Sequence, residues 1–161
     1  FIMKFAGTIR FDKSDLNIFP VAAEEGELAL VGTFSFSNIQ SQDLKGKVKQ
    51  AFSNGFIGCS SFGYSTLVSL VKVNEDDLIK LKHNVGQYFI EHYGAPSKAI
   101  AEKAASEEIN FMSDLCKDHE LGSLLSVSRE WSEEGIKERF RTLPKAESCA
   151  EQKIWTVVDE D

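Results

Sequence analysis

The sequence predicts an α+β fold: an antiparallel or mixed sheet covered by helices, in the element order ββαβααβαβ. Three observations carry this prediction. Two stretches near the start alternate apolar and polar residues with period two, and two long stretches after residue 74 repeat apolar residues at helical spacing. The early strands are joined by connections too short for helical crossovers, so the first two are expected to pair antiparallel. The composition is 42% apolar and 27% charged, ordinary for a packed core, and 161 residues need no disulfide or metal to hold one. No repeat, low-complexity tract or Gly/Ser linker divides the chain. Residues 1–161 are therefore expected to form one domain, with 159–161 an acidic tail.

The first strand is Met3 to Phe11, with Met3, Phe5, Ile9 and Phe11 on one face and Lys4, Thr8 and Arg10 on the other. A polar turn at Asp12–Asp15, a short piece from Leu16 to Ala22 and the acidic turn Glu24-Glu25-Gly26-Glu27 follow. Pro20 lacks a backbone donor, which restricts that piece to an edge. The second strand is Leu28 to Ser37, with Leu28, Leu30, Phe34 and Phe36 on one face. Leu44, Val48, Ala51 and Phe52 mark a short helix stopped at Asn54-Gly55. Residues 56–73 alternate Phe62, Tyr64, Val68 and Leu70 with serines and predict one long central strand.

Asn74 is a natural N-cap, Glu75, Asp76 and Asp77 suit the positive end of a helix dipole, and Leu78, Leu81, Val85, Phe89 and His92 form one stripe ending at Gly94. Pro96 opens a further helix with an apolar face of Ile100, Ala104, Phe111, Met112, Leu115 and Cys116, running to about His119 before Gly122. Leu125 and Val127 suggest a short strand. Ser132 is read as the cap of a helix carrying Ile136 and Phe140 and ending at Leu143-Pro144, and Ile154 to Val158 as a last strand. Trp131 and Trp155 are expected as core anchors.

Eighteen Lys and Arg against twenty-five Asp and Glu leave a formal charge of −7, which repels phosphate backbones and anionic membranes. Nucleic acid and membrane surfaces are therefore not expected partners. The basic groups Lys45, Lys47, Lys49 and Lys137, Arg139, Arg141 are read as solvated helix faces. The uncharged run from Gln50 to Val71 is too rich in Ser, Gly and Asn for a membrane span. Cys59, Cys116 and Cys149 are an odd number without framework spacing, which argues for free thiols in a reducing compartment. With no charged-then-apolar leader, the expected location is cytoplasmic.

Gly58-Cys59-Ser60-Ser61-Phe62-Gly63 stands out, because small residues beside hydroxyls and a thiol allow a ligand to approach backbone closely. The segment lacks the Gly spacing of a nucleophile elbow and the Gly-Lys-Ser of a phosphate loop. Its plain reading is a bulged or tightly packed start to a strand. Its functional reading makes Cys59, Ser60, Ser61, Gly63 and Tyr64 line a ligand, with His92 as the nearest titrating group. Cys116, His119 and Glu120 share one helix face, but no second cluster completes a tetrahedral set, so no metal is expected. No cofactor motif is present.

Lys4-Phe5-Ala6, Thr8-Ile9-Arg10-Phe11-Asp12, Ser14-Asp15-Leu16-Asn17 with Phe19-Pro20, Gln50-Ala51-Phe52 and Glu138-Arg139-Phe140-Arg141 resemble a small bacterial family of unknown function over nearly the whole chain. The resemblance implies no activity and no functional residue. Relatives in that family sit beside redox-enzyme maturation genes, which implies an accessory role with another protein as partner. The expected function is accordingly a cytosolic accessory or binding protein using a groove or exposed sheet face. The alternative is a small-molecule enzyme or binder at Cys59–Tyr64 with His92. A homo-oligomer is expected through a strand edge, near Pro20 or at the C-terminal strand.

Overall fold

The computed structural model describes residues 2–9, 23–24 and 26–143. Its strands are β1 (Ile2–Thr8), β2 (Ala29–Leu30), β3 (Phe56–Gly58), β4 (Tyr64–Ser65), β5 (Leu67–Asn74), β6 (Leu124–Ser132) and β7 (Gly135–Leu143). Its helices are α1 (Gly46–Asn54), α2 (Glu75–Tyr93) and α3 (Lys98–Cys116), with 3-10 turns at Thr33–Phe36 and Ser41–Asp43. A four-stranded sheet runs β1-β5-β6-β7 and a three-stranded one β2-β3-β4, and every pairing is antiparallel. The fold is α+β. The turn at Asp12–Asp15, the piece around Pro20, Cys149, the Ile154–Val158 strand with Trp155, and the acidic tail lie outside the described residues.

α2 forms as its sequence dictates. Asn74 accepts from Asp77 N while Asp77 accepts from Asn74 N, a reciprocal cap, and Gly94 ends the helix at φ 70. Leu81, Val85 and Phe89 are buried in the main core. α1 ends at Gly55 as expected, with only Ala51 and Phe52 of its apolar residues buried.

Five expectations are corrected. β1 pairs with β5, from Ile2↔Asn74 to Thr8↔Val68, and meets the residue-28 region through the single bridge Gly7↔Leu28. The expected strand 28–37 stops after Leu30, because the chain turns at Gly32 (φ +85) into the first 3-10 turn. A Cβ at Gly32 would lie 2.8 Å from Ile57 Cγ2, so only glycine allows both the turn and the contact. The expected strand 56–73 is a hairpin of β3 and β4 followed by the central β5. The expected helix 132–143 is β7, paired with β6 from Leu124↔Leu143 to Ser132↔Gly135 around a tight turn at Glu133-Glu134. The basic residues Lys137, Arg139 and Arg141 therefore lie on a strand, where they are exposed.

The fifth correction concerns α3, which buries Ala101, Ala105, Ile109, Met112 and Cys116 and leaves Ile100 and Phe111 53% and 45% exposed. The two long helices approach closely: a Cβ at Gly86 would stand 3.2 Å from Glu102 Cγ. That crossing selects small residues, so the true stripe is poorer in large side chains than the one beside it. The main core joins Phe5, Leu30, Phe56, Ile57, Leu70, Val85, Met112 and Val127. A satellite of Phe36, Ala51 and Phe52 packs against Tyr64, Trp131 and Ile136, which places Trp131 at its margin.

Candidate functional site

The segment singled out in the sequence, 58–63, forms the loop of the β3–β4 hairpin, closed by Gly58 N donating to Gly63 O at 2.8 Å. Glu24, Gly26 and Glu27 are clamped to the end of β1, where Thr8 N donates to Glu27 O at 2.8 Å and Glu27 N donates to Thr8 Oγ1 at 2.9 Å. This aims the buried Glu27 carboxylate into the loop. Its Oε1 accepts from Ser60 N at 2.9 Å and Ser61 N at 2.8 Å, and its Oε2 from Ser61 Oγ and Glu24 N, both at 2.6 Å. Two successive backbone amides make an anion-binding nest, and here the protein fills the nest itself. Burial opposes ionisation of Glu27, but the four hydrogen bonds outweigh it and hold the carboxyl below its ordinary range. Gly58 leaves the room: a Cβ there would stand 2.6 Å from Glu27 Oε1.

The other residues of that set divide. Cys59 is buried, and burial followed by the nearby Glu27 charge raises its thiol far above the reactive range. Ser60 is exposed and borders, with Cys59, Leu28, Asp77, Lys80, Leu81 and Asn84, a hollow of about 170 Å³. Gly63 is buried and its N–H donates to Ser61 Oγ. Tyr64 stacks on Phe36 and donates to Ser35 Oγ at 3.2 Å; burial raises its phenol. His92 is exposed rather than on the buried stripe, and it leans on Tyr88 with centroids 4.6 Å apart. Tyr88 in turn stacks on Phe62 at 3.7 Å, so the loop and His92 meet through rings. Phe62 holds a left-handed φ of 57 in doing so.

A larger concavity, about 520 Å³, lies between α3, the segment 31–37 and β7. Val31, Phe34, Phe111 and Ile136 supply apolar walls, and Glu108 and Glu138 supply carboxylates. Beneath it Arg129, 3% exposed, organises the surroundings. Its Nη1 donates to Phe52 O at 2.9 Å and Gly55 O at 2.8 Å, at the C-terminal end of α1, and its Nη2 donates to Val31 O. Its Nε donates to Thr33 Oγ1 at 2.8 Å, and the Thr33 hydroxyl donates in turn to Glu138 Oε1. Burial lowers the Arg129 pKa to about 10, with the Glu138 charge opposing, so the guanidinium stays charged at neutral pH.

The two carboxylates differ. Glu138 is held through Thr33, whereas Glu108 has no hydrogen-bond or ion-pair partner among the described residues. Burial, then the charges of Glu138 and Glu107, raises the Glu108 carboxyl above its ordinary range. An apolar groove with a carboxylate that resists ionisation suits a ligand with an apolar body and a cationic group. Sequence reasoning missed Glu27, Glu108, Arg129 and Glu138; the one local signal was the alternation of Ile136, Glu138 and Phe140 with Lys137, Arg139 and Arg141.

Among the described residues no three His, Cys, Asp or Glu side chains converge as a metal site. Cys116 is buried, its thiol pushed up to about 12 by burial, and His119 Nε2 lies 3.3 Å from Thr142 Oγ1. No helix among the described residues is long and apolar enough to cross a membrane. No curated protein and no solved structure matches the chain. The matching family model spans residues 3–159, and the chain thus belongs to the family of unknown function DUF6505.

Proposed function

We propose that this chain is a cytoplasmic accessory protein of bacterial origin that binds another protein through the groove between α3, residues 31–37 and β7. The carrying observation is Glu108, a partly buried carboxylate beside apolar walls that no other described residue hydrogen-bonds or ion-pairs. A Lys or Arg of the partner, flanked by apolar side chains, would relieve that charge while burying Phe111. A partner in redox-enzyme maturation is the setting the resemblance implies. Buried thiols at Cys59 and Cys116, both free, support a reducing compartment. The net charge of −7 and the acidic groove oppose nucleic acid and anionic lipid. A homo-oligomer remains part of this reading.

The test is calorimetric titration of the full chain with short peptides carrying Lys between Leu and Phe, against the same peptides with Glu for Lys. The Lys peptides are expected to bind, to lose affinity in Phe111→Ala and Glu108→Gln, and to bind more tightly as pH rises through the titration of Glu108. The Ser60→Ala/Ser61→Ala variant should bind like wild type. Equal binding by Glu108→Gln, or loss in the serine variant, would overturn the reading.

A second reading, a small-molecule enzyme or binder at Cys59–Tyr64 with His92, is favoured by the Phe62–Tyr88–His92 stack, an aromatic surface beside the loop. Ligand capture lost in Tyr88→Ala and unchanged in Phe111→Ala would select it.

A further inference from the structure

β7 is nine residues long and ends the four-stranded sheet, so among the described residues one of its edges has no strand partner. Such an edge exposes a row of backbone donors and acceptors ready to pair. Its side chains sort by charge. Ile136, Glu138 and Phe140 are half-buried on one face, with Ile136 and Glu138 lining the groove. Lys137, Arg139 and Arg141 are exposed on the other, and Lys137 and Arg139 share a hollow there with Ser128 and Glu130. Basic residues on an edge strand also serve to prevent pairing. Prevention alone, however, does not call for an apolar, acidic groove along the alternate face of the same strand.

We infer that β7 accepts an extended segment of a partner protein as an added antiparallel strand. Its basic and apolar side chains turn toward the groove, and its acidic side chains lie over Lys137, Arg139 and Arg141. Residues directly opposite on neighbouring strands share a face, so the charge alternation of β7 specifies the opposite alternation in its partner. The same rule argues against a second copy of this chain as occupant, because β7 against β7 would set the basic row against itself. Every strand pair in the described sheets is antiparallel, and the added strand follows that pattern. This inference deepens the groove reading and rests on it for the inward-facing side chains only.

The probe is the capped peptide Thr-Glu-Phe-Glu-Lys-Glu-Val-Thr, titrated into the ¹⁵N-labelled full chain. The amides of β7 should shift and become protected from exchange. A charge-inverted peptide, with Arg for each outward Glu and Glu for Lys, should bind at least about tenfold weaker. N-methylation of alternate peptide amides should abolish binding in one phase and spare it in the other, since only every second amide faces β7. Equal loss in both phases, shifts that miss the β7 amides, or no binding of either peptide tighter than about 1 mM would overturn the inference. Sensitivity to Phe111→Ala without dependence on N-methyl phase would sink strand addition and leave the groove reading standing. Phase dependence with Phe111→Ala silent would do the reverse.

Discussion

The hairpin loop 58–63 and the groove beside α3 both present carboxylates to a partly enclosed space, yet they use them in opposite ways. In the loop, Glu27 receives four hydrogen bonds, two of them from successive backbone amides, and is held ionised. In the groove, Glu108 receives none from the described residues and is held back from ionising by burial and by Glu138 and Glu107. A buried polar group that the fold satisfies is part of the scaffold, whereas one the fold leaves costly is where a ligand gains most. The conspicuous small-residue segment is on this account an internal lock, and the proposed site lies where no motif pointed.

The largest expected effect is at the group that supports the groove from beneath. Arg129→Met leaves the carbonyls of Val31, Phe52 and Gly55 without their donor and cuts the link through Thr33 to Glu138. Urea unfolding should show a loss of about 3–5 kcal/mol, the cost typical of breaking a buried charged network. A loss below about 1 kcal/mol would mean that the groove floor does not depend on Arg129.

Glu27→Gln comes next. The amide replaces an acceptor with a donor facing Glu24 N or the Ser60 and Ser61 amides, at a cost of about 1–3 kcal/mol, with faster exchange at Ser60 and Ser61. The folded carboxyl lies below its ordinary 4.5, so its contribution is complete above that value and lost as pH falls through the lowered folded pKa. The deficit of the variant should therefore shrink in acid. A deficit that persists there would mean the charge is not what stabilises the loop.

The smallest effect has the opposite sign. The folded Glu108 carboxyl lies above 4.5, so its contribution is present at low pH and lost as pH rises through the raised value. Above that raised value the ionised group is a cost, and there Glu108→Gln should gain stability, by less than about 1 kcal/mol because water partly screens the site. The gain should vanish in acid.

Local signals explain which parts of the fold were legible. α2 was readable because cap, acidic first turn, apolar stripe and closing glycine agree over nineteen residues. β7 was not, because Ile136 and Phe140 are four apart, a spacing that suits a helix as well as a strand, and Ser132 resembles a cap. Its hydroxyl in fact donates to Gly135 O across the hairpin turn at 2.7 Å. The expected stripe of α3 meets the buried one at Met112 and Cys116, but in the first half the close crossing at Gly86 buries Ala101 and Ala105 and leaves Ile100 exposed. At the site, Cys59 and the serines drew notice through composition, while Glu27 looked like one more acid in a solvent turn. The groove residues come from positions 31–37, 108–111 and 135–138, so nothing short of the folded chain brings them together.

The central claim is that one carboxylate locks the fold and the other is reserved for a ligand. The most direct test is paired urea unfolding of Glu27→Gln and Glu108→Gln against wild type near neutral pH. The account predicts opposite signs: Glu27→Gln loses stability and Glu108→Gln gains it or stays level. A loss in Glu108→Gln as large as that in Glu27→Gln would contradict it, since the groove carboxylate would then be a structural group like the other.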